Sequence, residues 1–310
     1  MADSAPARTA PVAPPAPAAQ AETTAVDWAL LIAPGLIWGA SFLFIAEGLE
    51  AVGPNGLTFT RILVGFLTLT FFPAARRPIR REDWPATALL AVLWMAFPLS
   101  MFPYAEQHVS SALTGMLNGA NPLFTAAVAA FLARRAPSRG VAIGLAVGLT
   151  GTALIALPSL NQGSNSVLGV VLCLAALASY GFALNLARPL QQRNGALGVI
   201  WRALGVALVL TAPLGIPELL RSHWTPAPLF SILALGALGT GIAPVLLAVA
   251  AGRAGATRAS ATTVLIPAVA LALGVAIRGE QVAALSIVGG AVCLLGAWGV
   301  RRAQLGARPE

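Results

Sequence analysis

From residue 28 onward the sequence is a succession of apolar runs of membrane-spanning length, broken only by short polar connections. A spanning helix needs about 20 mostly apolar residues. Ten stretches qualify: 28–46, 57–75, 84–103, 109–132, 140–158, 167–187, 196–215, 228–250, 258–277 and 282–300. In hydrocarbon no water is available to the backbone, so each run must satisfy its own peptide groups as a helix. Composition agrees. Only 10% of residues are charged, against about 25% in soluble domains, which is too few to cover a water-facing surface. The chain is read as an all-α polytopic membrane protein of ten transmembrane helices.

The net charge of +8 does not indicate nucleic acid, because basic patches interleaved with aromatics are missing. Every basic residue is arginine, and the arginines cluster between apolar runs. With the N-terminus inside, alternate connections carry Arg76, Arg77, Arg80 and Arg81; Arg134, Arg135 and Arg139; Arg188 and Arg193; Arg253 and Arg258. The tails add Arg8, Arg301, Arg302 and Arg308, whereas the other side holds only Arg221 and Arg278. This bias places both termini in the cytoplasm of a cell inner membrane. Residues 1–26, rich in alanine and proline without an apolar core, read as a disordered cytoplasmic tail, and 304–310 as a second tail. Cys173 and Cys293 each lie inside an apolar run and read as small buried side chains.

The two halves of the chain resemble each other. "NPLFTAAVAAFLARR" (121–135) aligns with "IPAVALALGVAIRGE" (266–280) at an offset of about 145, which also pairs Pro122 with Pro267, Gly144 with Gly289 and Gly151 with Gly296. "IWGASF" (37–42) matches "SYGFAL" (179–184), and Arg61 matches Arg202. Residues 27–158 and 159–303 are therefore two five-helix repeats. Five is odd, so the repeats are inverted in the membrane, the plan of many carriers whose site lies near the midplane between repeats.

"WGASF" in the first run, Pro54 and Arg61 in the second, Pro122 and Pro267, and the "RGEQ" turn before a glycine-rich last helix form an ordered set. The chain resembles the drug/metabolite transporter superfamily, specifically the EamA-type transporters with ten helices and two EamA repeats. That resemblance implies a secondary transporter of small metabolites working by alternating access, foremost an exporter of amino acids or related solutes, without a cofactor. The first repeat departs from the family pattern, having Arg134-Arg135 where Gly-Glu is usual, so a role for that acidic turn carries over only to Glu280.

The segment "TGMLNGANPLFT" (114–125) is unusually polar for a spanning run. On a continuous helix Thr114, Asn118, Asn121 and Thr125 fall within an arc of roughly 60°, and such a face cannot point at acyl chains. Two readings stand: hydrogen bonding to neighbouring helices, or the wall of a wet cavity. The equivalent positions of the second half keep only Thr263 polar; an asymmetric solute would want an uneven lining, so cavity lining is preferred. Trp38 and Tyr180 hold equivalent places and could stack on a ligand, with Ser41 and Asn185 about one turn beyond and Trp94 in the third run. Arg61 and Arg202, each about one turn inside a run, read either as anchors that snorkel or as gating and carboxylate-recognition groups.

Every acidic residue falls in a tail, connection or run end. Glu106 beside Tyr104 and His108 lies nearest the interior, in what reads as a solvated loop. Facilitated transport or exchange is therefore favoured, with proton antiport through Glu106 or Glu47 left open. Enzyme motifs (HExxH, GxSxG, GxxxxGK[ST]) and metal-ligand clusters are missing, leaving a non-transporting scaffold or receptor as the alternative. The expected partners are a small-molecule substrate and the lipid bilayer. Glycines of the fifth and tenth helices (Gly140, Gly144, Gly148; Gly289, Gly290, Gly296, Gly299) read as packing within the chain, or as a homodimer contact.

Overall fold

The computed structural model describes residues 24–160, 163–254 and 260–306. The proposed disordered tail lies outside them, apart from its last residues. Helices account for nearly all of the described chain, with no strand among the described residues. In order they are α1 (Ala25–Gly48), α2 (Pro54–Thr70), α3 (Arg81–Glu106), α4 (Ser111–Asn118), α5 (Asn121–Ala133), α6 (Arg139–Leu160), α7 (Ser164–Asn194), α8 (Ala196–Leu220), α9 (Pro226–Arg253), α10 (Leu265–Arg278) and α11 (Ala284–Gly306).

Each of the ten predicted runs is helical. Seven helices are long and apolar enough to cross a membrane, and the bent pair α4–α5 makes an eighth. The other two predicted spans are shorter: α2 has 17 residues, and the ninth run is an apolar helix from Thr262 to Arg278 that includes α10. Phe131, Val209 and Phe230 are 71%, 72% and 68% exposed. Large apolar side chains standing outward where a soluble protein would place charge are what an acyl-chain solvent requires.

Local chemistry sets where the helices start and stop. Thr24 and Asp27 cap each other reciprocally at the start of α1. Proline opens α2, where the missing N–H removes no helical bond. The Glu218 carboxylate accepts from Gly56 N at 2.9 Å and Asn55 Nδ2 at 2.6 Å, covering donors that the first turn of α2 leaves free. Glu280 does the same for α4, accepting from Ser111 N at 3.0 Å and Ala112 N at 2.8 Å. The Gly-Glu turn thus has two jobs: Gly279 ends α10 at φ +64°, and Glu280 caps a helix of the other half. In the first repeat the same left-handed position is held by Arg134, at φ +50°.

Polar contacts divide the helix junctions between two ends of the bundle. At one, Arg253 meets Asp27 at 2.6 Å and Arg193 meets Asp83 at 2.6 Å. At the other, Arg278 pairs with Glu47 and Glu50, while His223 N donates to Ala51 O. They are called the arginine-rich and acidic ends below.

The principal helix contacts map onto themselves when each span is exchanged for the one five places on. The first span packs on the ninth as the sixth packs on the fourth, and the second on the eighth as the seventh on the third. The fifth and tenth (α6, α11) pack on each other. There the glycines touch backbone to backbone: a Cβ on Gly151 would collide with Cys293 N, and one on Gly296 with Gly148 N. These glycine faces serve the chain's own fold, since close contact of this kind is the main source of helix adhesion in lipid.

Candidate functional site

Breaks in helical regularity surround the centre of the bundle. The predicted fourth span is not one helix: α4 ends at Asn118, α5 begins at Asn121, and the axis bends by 41°. Pro122, at the start of α5, cannot donate back along the chain, and Gly119 lets Pro267 of α10 press in, a Cβ there lying 2.6 Å from Pro267 Cγ. The second repeat is also irregular just before its proline, with a 3₁₀ turn over Ser260–Val264. The third and eighth spans each relax into π-helical turns, over Ala91–Ala96 and Leu235–Ile242, at equivalent places in the two halves. Such widened turns leave carbonyls free for other donors and are frequent at functional sites. Here the indole Nε1 of Trp38 donates to Gly239 O at 2.9 Å.

These irregular segments enclose a chamber of about 220 Å³. Of the residues singled out from the sequence, Trp38, Ser41, Trp94, Asn118, Asn121, Tyr180, Thr263 and Arg61 line it together. The 41° bend corrects the single polar stripe and leaves only its two asparagines on the wall. Thr114 is fully buried, donating to Ser110 O within its own helix, and Thr125 donates to Asn121 O. Asn185 donates to Thr125 O at 3.0 Å and Gly181 O at 2.8 Å, joining α7 to α5. Here the helix-packing alternative holds. Arg202 also stands away from the chamber, donating to Ala75 O and Gly198 O with its guanidinium 5.4 Å from the Trp201 ring.

Arg61 differs from its repeat mate. It is 6% exposed, its Nε donates to Thr240 Oγ1 at 2.9 Å, and no carboxylate lies within ion-pairing distance among the described residues. It does not snorkel to an interface. A buried guanidinium lacking an anion is costly unless something else supplies the negative charge. Asn121 adds a second open valence, since its Oδ1 is buried without a donor. The chamber therefore offers a cation, unused amide capacity and the aromatic faces of Trp38, Trp94 and Tyr180, which suits a small solute with a carboxylate and an apolar part.

Sequence reasoning did not find Thr240, which positions Arg61, or the Phe42–Phe102 pair that closes the chamber toward the acidic end. Those rings meet edge to face, centroids 5.6 Å apart, and are 5% and 3% exposed. "GTG" around Thr240 was a faint signal; two phenylalanines in apolar runs gave none. One further expectation is corrected. Glu106 is not in a solvated loop: it is the last residue of α3, and both carboxylate oxygens are buried without a donor.

This architecture, broken helices meeting around a central chamber between two similar halves, is that of a membrane carrier. The EamA-like transporter family model matches residues 28–157 and again 167–302, and the chain belongs to that family. It is 30% identical, over 91% of its length and 95% of the relative's, to a Streptantibioticus cattleyicolor protein described as a "probable terminal-alkyne amino-acid exporter". A Salmonella typhimurium protein described as a "probable amino-acid metabolite efflux pump" is 26% identical over 84% of this chain and 90% of its own. A crystal structure at 17% identity superposes with a TM-score of 0.61, covering 94% of this chain and all of the other, and shares the fold. The protein is a multi-pass membrane transporter.

Proposed function

We propose that the chain exports amino acids, or closely related carboxylate-bearing metabolites, across the cytoplasmic membrane by alternating access. The observation that carries this is Arg61, a buried cation on the chamber wall without a protein counter-ion among the described residues. In the proposed pose the solute carboxylate lies against its guanidinium, the amides of Asn118 and Asn121 add hydrogen bonds, and Trp38 and Tyr180 flank the side chain. The names of the two relatives support the substrate class and the outward direction. The arginine bias of the connections supports cytoplasmic termini, with the arginine-rich end inside. We read the chain as a carrier and not an enzyme, its partners being the solute and the bilayer. A homodimer through α6 and α11 would have to use faces other than the glycines already packed together.

Counterflow in proteoliposomes tests the proposal with three solutes of one shape: norleucine, pentylamine without the carboxylate, and hexanoate without the amine. Norleucine exchange is expected, falling at least about tenfold in Arg61→Gln, since a buried charged pair is worth more than about 1.4 kcal/mol. Norleucine flux that Arg61→Gln leaves unchanged, or flux confined to pentylamine, would overturn it.

A further inference from the structure

The acidic end carries five carboxylates close to its connections, and four of them are satisfied. Glu218 holds Asn55 and Gly56, and Glu280 holds Ser111 and Ala112. Glu47 and Glu50 share Arg278. Glu106 alone has neither a donor nor accessible oxygen surface among the described residues. It sits one helical turn beyond Phe102, between the Phe42–Phe102 closure and an outer vestibule of about 670 Å³ that it lines with His108, Arg278 and Glu280. An ionised carboxylate left there would lack both water and hydrogen-bond donors, at a cost of several kcal/mol. A carboxylic acid in the same place carries no such charge penalty.

We propose that Glu106 is the proton-binding group of the acidic-end gate, and that the gate closes over it only after it has taken up a proton. The inference rests on the alternating-access reading but on no particular solute. The other groups around Glu106 are accounted for. From α1 come Glu47 and Glu50, engaged by Arg278; from α2, Arg61, on the chamber side; from α7, Cys173 and Tyr180; from the end of α10, Arg278 and Glu280; and beyond α3 itself, His108. Only Glu106 must change charge for the closed packing to form without an unpartnered ion. Opening returns the carboxyl to solvent on the acidic side, where the proton leaves. Acid on that side therefore favours closure and alkali favours opening.

Ile45, 1% exposed within the closure, reports the state of the gate. In full-length protein in nanodiscs, a membrane-impermeant maleimide is reacted with Ile45→Cys at a series of pH values. The protein with Ile45 intact is the blank for buried Cys173 and Cys293. Adding Glu106→Gln, permanently neutral, to Ile45→Cys supplies the pH dependence that belongs to the thiol itself. The labelling rate of Ile45→Cys alone, divided by that of the Ile45→Cys, Glu106→Gln double variant, is expected to rise about tenfold from about pH 5 to about pH 8. His108→Gln should leave that rise intact. A flat ratio, or a rise abolished by His108→Gln, would overturn the proposal. Should Glu106→Gln not fold, hydrogen exchange around Phe102 in the unaltered protein, corrected for intrinsic rates, must slow as pH falls; pH-independent protection counts against it equally. Either result can be read whether or not norleucine is carried, so this inference and the substrate reading fail separately.

Discussion

At the scale of the residue, the equivalent positions of the two repeats show what duplication leaves free to change. Arg61 and Arg202 were indistinguishable in sequence, yet one is buried against Thr240 on the chamber wall and the other lies over Trp201 near the arginine-rich end. Side-chain surroundings decided that, and surroundings come from the other half of the chain. Arg134 and Gly279 diverge in the opposite sense, keeping one backbone geometry with different residues. A left-handed conformation costs an L-residue roughly 1–2 kcal/mol more than glycine, less the extra chain entropy glycine loses on folding. Arg134→Gly is therefore expected to stabilise the protein, by up to about 1 kcal/mol, while β-branched Arg134→Val destabilises it. Thermal unfolding of the purified protein in one detergent, compared across the three side chains, checks the order; a lower Tm for the glycine variant than for the parent would contradict it.

At the scale of the element, hydropathy located every helix but could not say which were interrupted. The bend at Gly119 and Ala120 was half legible: Pro122 announced a missing donor, and the polar residues around it announced a site. The loss of helical continuity was not legible, because it depends on Pro267 filling the space beside Gly119. The π-helical turns left no mark at all in the apolar runs that contain them. The pairing of α6 with α11 was clearer, since glycines at helical spacing have few other uses in lipid. A leucine at Gly151 would drive its Cβ into the Cys293 backbone. Gly151→Leu is expected to cost more than about 3 kcal/mol, which overpacking against backbone readily exceeds. Gly252→Ala, where a Cβ would meet nothing within 4 Å, should be neutral or mildly stabilising through helix propensity. Folded yield by size-exclusion chromatography, with Tm, separates the two, and equal behaviour would show that α6 and α11 do not pack as described.

At the scale of the whole molecule, the acidic end is shut by the Phe42–Phe102 contact and tied by Arg278 to Glu47 and Glu50 at the end of α1. These pairs are partly exposed, so their worth is modest, about 1 kcal/mol, equal to about a fivefold change in a two-state ratio. Arg278→Gln is accordingly expected to raise labelling of Ile45→Cys from the acidic side several-fold at fixed pH; an unchanged rate would mean that those ion pairs do not hold the gate. What the sequence determined by itself was everything that follows from the solvent: helices, because lipid satisfies no backbone group; orientation, because arginine resists translocation; and inversion, because five spans are odd in number. What only the tertiary structure decided was which polar groups lack partners. Asn185, Thr114 and Arg202 were satisfied by neighbours, whereas Arg61, Asn121 and Glu106 kept an unmet charge or hydrogen bond. That outcome depends on atoms brought together from distant parts of the chain, and local pattern carries no record of them.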